Sequence, residues 1–290
     1  MKLVVLGASG MLGHKCVQVL KHYGDVTGTM RAPPALFPSA VYDGVTVIDN
    51  LDVNDHGAVE QLLRRVKPDA VINATGIIKQ RDEAKEAVAS IEVNSLLPHV
   101  LADICEDIGA YFITLGTDCV FSCDGHGPYS EEALPNPTDL YGRSKLLGEV
   151  LRPNCLTLRM SIIGRELSAT KRSLFEWVYA NKGKTVKGYS NALYSGLTTG
   201  ELSKIIAALL ARKERLSGIY HVAGPAITKY ELVIKINTIF NLGMTIQPYG
   251  DFVCDRRLNN AKFTKVTQYL VPSWDNMLKD MLEQNAIYSY

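Results

Sequence analysis

Apolar runs and amphipathic stretches alternate over the first 160 residues, the pattern of a parallel sheet flanked by helices. Leu3 to Leu6 is a short unbroken apolar run, suited to a buried strand. A glycine-rich turn follows, then a helix with Leu12, Cys16, Val17 and Leu20 on one face. Val26 to Thr29 and Val45 to Ile48 predict two more short strands. Asp55 opens a helix carrying Val59, Leu62, Leu63 and Val66, and Val71 to Asn73 ends a fourth strand. Glu92 to Ile108 reads as a long helix and Phe112 to Leu115 as a fifth strand. Residues 116–140 are loop-like, rich in Pro, Gly and Asp. Leu140 to Leu151 then predicts a helix and Leu156 to Arg159 a sixth strand. Parallel strands joined by right-handed crossovers imply a Rossmann-type, doubly wound α/β sheet with ligands at the carboxyl ends of its strands.

Beyond Met160 the regularity weakens. Helices are expected at Ser173 to Asn181, Thr199 to Lys213, Lys229 to Phe240 and Trp274 to Glu283. Short strands, Ile219 to Val222 and Thr245 to Pro248, lie between them. The expected organisation is a dinucleotide-binding domain over residues 1–160, with 186–222 returning to it. Residues 161–185 and 223–290 would form a smaller C-terminal substrate-binding lobe.

Charge and composition narrow the partners. A formal net charge of +1 gives no electrostatic footprint for nucleic acid or an anionic membrane. The apolar start, Met1 to Leu6, breaks at once into Gly7 to Gly10 and then His14-Lys15, so no signal-peptide core is sustained. No apolar run approaches the ~18 residues of a membrane span, and a cytoplasmic protein is expected. The six cysteines sit far apart and mostly in apolar segments, as reduced buried thiols do. Cys119-x3-Cys123 lacks a second pair, so no metal site is expected.

Three short segments carry the chemistry. Gly7-Ala8-Ser9-Gly10-Met11-Leu12-Gly13 stands between a predicted strand and a predicted helix. Glycines there let backbone N–H groups approach a pyrophosphate, which the helix N-terminus also attracts. Past the second strand, where a carboxylate would hold ribose hydroxyls, the chain offers Thr29-Met30-Arg31. An Arg without an acid suits a 2′-phosphate, so NADPH is favoured over NADH. Asp52-Val53 after the third strand is placed to hold the adenine. Tyr141 and Lys145 are four apart on a predicted helix and share a face. A neighbouring ammonium would lower the tyrosine pKa, readying it to protonate a carbonyl oxygen as hydride reaches the carbon. Thr117, ending the fifth strand, would hydrogen-bond the same oxygen.

These residues resemble the extended short-chain dehydrogenase/reductases, and within them dTDP-4-dehydrorhamnose reductase and related sugar-nucleotide 4-ketoreductases. The resemblance covers essentially the whole chain and is dense between Lys67 and Val150. It rests on Leu51-Asp52-Val53-Asn54-Asp55, Lys67-Pro68-Asp69-Ala70-Val71-Ile72-Asn73-Ala74, Val93-Asn94 and Gly127-Pro128-Tyr129-Ser130-Glu131-Glu132, which leads to Tyr141-Gly142-Arg143-Ser144-Lys145. It implies Thr117, Tyr141 and Lys145 as the catalytic set. Asn94 would be a supporting polar group, and Ala74, Thr75 and Gly76 would line the cofactor. A nucleotide diphosphate-sugar would be the substrate and a homodimer the assembly. Asp118, Cys119, Lys187, Arg256 and Arg257 are the candidate substrate contacts, the last three because Lys and Arg suit a diphosphate.

Two departures open rival readings. Gly116 precedes Thr117 where the family usually has Ser, and Cys119 stands where the rhamnose enzymes usually have Tyr. A 4,6-dehydratase of this superfamily would show Thr-Asp-Glu. A 4-epimerase would show an acid after the second strand. A GDP- or UDP-sugar epimerase/reductase is a further alternative: the enzyme that makes GDP-fucose resembles this chain in a cysteine at the Cys119 position, which it pairs with a downstream histidine, yet the chain has none between His126 and His221. The regulatory subunit of methionine adenosyltransferase resembles the same reductases and offers a non-catalytic, NADP-binding alternative.

Overall fold

The computed structural model describes residues 1–78, 86–124 and 127–288. The first half builds β1 (Lys2–Leu6), α1 (Gly13–Leu20), β2 (Asp25–Thr29), β3 (Thr46–Ile48), α2 (His56–Val66), β4 (Ala70–Asn73), α3 (Ala87–Ile91), α4 (Leu97–Ile108), β5 (Tyr111–Leu115), α5 (Leu140–Leu147) and β6 (Cys155–Arg159). There follow β7 (Ile162–Ile163), α6 (Leu174–Ala180), β8 (Thr185–Tyr189), β9 (Ala192–Tyr194), β10 (Leu197–Thr198), α7 (Thr199–Leu210) and β11 (Gly218–His221). The chain closes with β12 (Ile227–Thr228), α8 (Lys229–Ile239), β13 (Thr245–Tyr249), β14 (Cys254–Asp255), α9 (Ala261–Thr267) and α10 (Trp274–Glu283).

Seven strands form one parallel sheet in the order β11-β6-β5-β4-β1-β2-β3. The strand order reverses between β1 and β4, the point where a doubly wound sheet opens a crevice at its carboxyl edge. Alternation along β1 divides the core into two layers. Leu3 and Val5 pack with Cys16, Val17, Leu20, Ile205 and Ile206 of α1 and α7. Val4 and Leu6 face the other way, onto Val59, Leu63, Leu97 and Leu101 of α2 and α4.

The structure departs from the sequence reading in specific places. Residues 185–198 form strands of small separate sheets, with β8 pairing β13 and β9 lying between β12 and β14. Of residues 186–222, β11 joins the main sheet and α7 packs against it beside α1. α5 stops at Leu147 rather than Leu151, because Gly148 follows it and packs against the Asn94 carbonyl. The helix expected from Glu92 begins earlier, at Ala87, and carries a π turn over Glu92–Leu96. This Ala87–Ile108 stretch is long and apolar enough to cross a bilayer by length and composition, contrary to the sequence expectation. It is a core helix here, with 56% of its most apolar window buried. Cys123 and Cys254 are joined in a disulfide, which corrects the expectation of six reduced thiols. Their separation of 131 residues hid the pairing. Cys16, Cys105, Cys119 and Cys155 are free.

Candidate active site

The glycine turn leaves β1 and enters α1 under tight steric limits. Gly7 has φ +82°, and a Cβ there would lie 2.9 Å from Thr75 Cγ2. A Cβ on Gly13 would collide with the Gly7 carbonyl oxygen, so this glycine lets α1 start directly against the turn. Beside the turn lies a cavity of about 250 Å³. Gly7, Ser9 and Gly10 line one wall, Met30 and Arg31 the end of β2, and Asp52, Val53 and Asn54 the segment after β3. Ala74, Thr75, Gly76 and Ile77, following β4, complete it. Among the cofactor candidates, Gly7, Gly10, Arg31, Asp52, Val53, Ala74, Thr75 and Gly76 thus meet at one cavity on the switch point. Met11, Leu12, Gly13, Asn94 and Lys145 do not line it.

Asn94 and Lys145 flank that cavity instead. The π turn places the Asn94 amide where its Oδ1 accepts from Ile77 N–H (3.0 Å) and its Nδ2 donates to the Ile77 carbonyl (3.0 Å) and Ser144 Oγ (3.2 Å). Asn94 therefore clamps the loop after β4 to α5. Lys145 Nζ lies 3.9 Å from the place a Cβ on Gly76 would occupy. Burial pulls the Lys145 ammonium down to about 8, with the Glu149 carboxylate working the other way.

The reacting end is assembled by β5 and α5. Thr117 follows β5, and its Oγ1 accepts from Cys119 N–H at 3.2 Å. Asp139 caps α5 by accepting from Gly142 N–H at 2.8 Å, which fixes the helix that carries Tyr141 and Lys145. Burial pushes the Tyr141 phenol above its ordinary value, Cys119 adds to this, and a hydrogen bond with Thr117 opposes it. The sequence reading had Lys145 lowering this pKa. Desolvation prevails instead, and the phenol stays protonated, the form that gives up a proton.

The candidate substrate residues separate. Asp118 and Cys119 sit beside Thr117 and Tyr141, and burial is the main cause raising both pKa values, Cys119 to about 12. Arg256 reaches the same place: its Nη1 donates to Cys119 Sγ at 3.4 Å, while its Nε is buried without a hydrogen bond. Arg257 is committed elsewhere, holding Asp255 at 2.9 and 2.7 Å and the Gly127 carbonyl at 3.3 Å. Lys187 is exposed on β8 and lies 4.4 Å over the Tyr249 ring. The sequence reading missed Ser9, Thr29, Met30, Leu51, Asn54, Ile77, Ala89 and Val93 as cavity lining. Ser9, Thr29, Met30, Leu51, Asn54 and Val93 stand inside segments the sequence singles out, whereas Ile77 and Ala89 carry no such signal. His221 is buried and bonded to Arg159 and the Tyr129 carbonyl, and His126 lies outside the described residues. Among the described residues, no group of His, Cys, Asp and Glu could hold a metal ion.

A cavity at this switch point, bordered by a helix presenting Tyr141 and Lys145, places the chain among Rossmann-fold proteins of the short-chain dehydrogenase/reductase type. Within that class it belongs to the family described as RmlD substrate binding domain, whose model matches residues 1–287. It is 29% identical over 242 residues to a probable low-salt glycan biosynthesis reductase of Haloferax volcanii, covering 80% of this chain and 78% of that one. It is 28% identical over 271 residues to methionine adenosyltransferase 2 subunit beta of Danio rerio, covering 86% and 79%. The crystal structure of a hypothetical dTDP-4-dehydrorhamnose reductase from Sulfolobus tokodaii superposes with a TM-score of 0.77 at 27% identity, covering 96% of this chain and 99% of that one.

Proposed function

We propose that this protein is an NADPH-dependent reductase of the C4 keto group in a nucleotide-activated 4-keto-6-deoxy sugar, serving deoxysugar or surface-polysaccharide synthesis. The observation that carries the proposal is the hydrogen bond of Thr117 with Tyr141 on α5, together with Lys145 of the same helix lying beside Gly76 of the glycine-walled cavity. The cavity suits a dinucleotide: the backbone of Gly7 and Gly10 lines its wall, and the α1 N-terminus favours a pyrophosphate. Arg31 at the cavity mouth supplies a guanidinium for a 2′-phosphate. A bound dihydronicotinamide would supply the hydride. Tyr141 gives its phenolic proton to the sugar oxygen, Thr117 orients that oxygen, and the Lys145 ammonium, still mainly charged at neutral pH, holds ribose hydroxyls beside Gly76. Arg256, with its unpaired Nε, contacts the anionic substrate.

Cys119 supports reduction over epimerisation. A thiol raised to about 12 supplies no thiolate at neutral pH, and no histidine among the described residues bonds it. A second reading, a non-catalytic NADP-binding subunit, is favoured by the Danio rerio relative. The test is NADPH oxidation by the purified protein with dTDP-, UDP- and GDP-4-keto-6-deoxyhexoses. Turnover with one of them establishes the reductase and its nucleotide. Tight NADPH binding with no turnover on any selects the second reading.

A further inference from the structure

The last turn of the chain folds back onto the helix that opens the cofactor cavity. Residues Asn285–Tyr288 form a 3₁₀ turn, and Tyr288 is 4% exposed. Its hydroxyl lies 2.7 Å from His14 Nε2, and His14 Nδ1 lies 2.8 Å from the Gly10 carbonyl oxygen. His14 is fully buried, and burial takes its pKa down to about 3, so the ring carries one proton at neutral pH. A carbonyl can only accept, which assigns that proton to Nδ1 and makes Nε2 the acceptor of the Tyr288 hydroxyl. The chain of donation therefore runs from Tyr288 to His14 to Gly10.

Gly10 is the middle glycine of the cradle and lines the cavity. Its carbonyl also accepts from His14 N–H at 3.1 Å. In a planar trans peptide, C=O and the following N–H point in opposite directions. Holding the Gly10 carbonyl toward α1 therefore aims the Met11 N–H out of the helix N-terminus, where a pyrophosphate sits. The turn itself is anchored by Arg165. Arg165 donates to Asn285 Oδ1 at 2.6 Å, pairs with Glu176 at 2.8 Å, and lies 5.1 Å from the Tyr288 ring centre. Lys15 of α1 meets Gln284 at 2.7 Å.

We infer that the C-terminal turn is part of the dinucleotide site. Tyr288 acts through His14 as a positioning residue for the pyrophosphate-binding turn, and it couples the C-terminal lobe to cofactor affinity. This rests on the dinucleotide reading given above. Removing the hydroxyl leaves Nε2 without its donor and loosens the imidazole that helps hold the Gly10 carbonyl, which then relies on its bond from His14 N–H.

The test is Tyr288→Phe, measured by fluorescence titration with NADPH and by calorimetry with adenosine 2′-monophosphate, which has no pyrophosphate. The variant is expected to bind NADPH about three- to tenfold more weakly, the worth of one hydrogen bond. It should bind adenosine 2′-monophosphate as the unaltered protein does, which also shows that it folds. Unchanged NADPH affinity would overturn the inference. So would equal weakening of both ligands, which marks a general structural role. Failure of the unaltered protein to bind NADPH would remove the dinucleotide reading and this inference together.

Discussion

Thr117, Tyr141, Lys145 and Arg31 can be proposed from sequence because each residue type stands at a fixed point along a strand or helix. The protonation states of Tyr141 and Lys145 were not legible there, because burial outweighs pairing and burial is a property of the folded chain. Tyr141→Phe removes the proton donor while keeping the ring. Turnover is expected to fall about 10²- to 10⁴-fold, with NADPH affinity within a few-fold of the original. Steady-state kinetics beside a binding titration check this, and near-normal turnover would take Tyr141 out of the mechanism. Arg31→Ala removes a guanidinium proposed for a 2′-phosphate. NADPH binding should weaken about 10- to 100-fold and NADH binding hardly at all. Equal losses would place Arg31 outside the site. Arg256 and Arg257 were indistinguishable in sequence, yet one ends against Cys119 and the other against Asp255. No pattern in a dipeptide sets which neighbour wins.

At the scale of elements, β1, β4, β5 and β6 at the centre of the main sheet were readable because they are buried on both faces and rich in apolar residues. β11 was expected as a strand at Ile219 to Val222, and its parallel pairing with β6 closes a long crossover. β7, β8, β9, β10, β12 and β14 were missed because two- to five-residue strands at a lobe edge leave no periodic signal. The segment after Thr117 gains its order from tertiary links. Tyr129 N–H donates to the Arg257 carbonyl at 2.8 Å, Asn259 N–H to the Tyr129 carbonyl at 2.7 Å, and Cys123 is bonded to Cys254. A cross-link closing 131 residues restricts the unfolded chain strongly. Cys254→Ser should therefore lower unfolding free energy by about 2–4 kcal/mol in non-reducing urea titrations. In a reducing buffer the two proteins should converge. Equal stability without reductant would show that the cross-link is absent in solution.

For the whole molecule, two buried histidines set the acid limit. His14 is held down to about 3 and His221 to about 4, both chiefly by burial, against an ordinary value of 6.5. Below pH 6.5 the unfolded chain takes up protons that the folded chain refuses, so stability falls as pH falls. Each histidine should cost about 2 kcal/mol between pH 7 and pH 5. Urea unfolding at the two values measures the sum, and His14→Gln should shrink the difference. An unchanged difference would mean that His14 is protonated or exposed in solution. The sheet, the cavity and the turn of Asn285–Tyr288 also join at this scale. Sequence pattern placed the cavity, whereas the contact of Tyr288 with His14 spans 274 positions and had no local signature.

The central claim is hydride delivery to C4 of a nucleotide sugar. It is tested most directly with NADPH deuterated at the nicotinamide C4, incubated with the accepted 4-keto-6-deoxy sugar nucleotide and followed by NMR of the product. The account predicts one deuterium at sugar C4 for each NADPH consumed, and about a hundredth as much or less with Tyr141→Phe over the same time. Deuterium at any other carbon, or label retained in the cofactor while the sugar changes configuration, would contradict it.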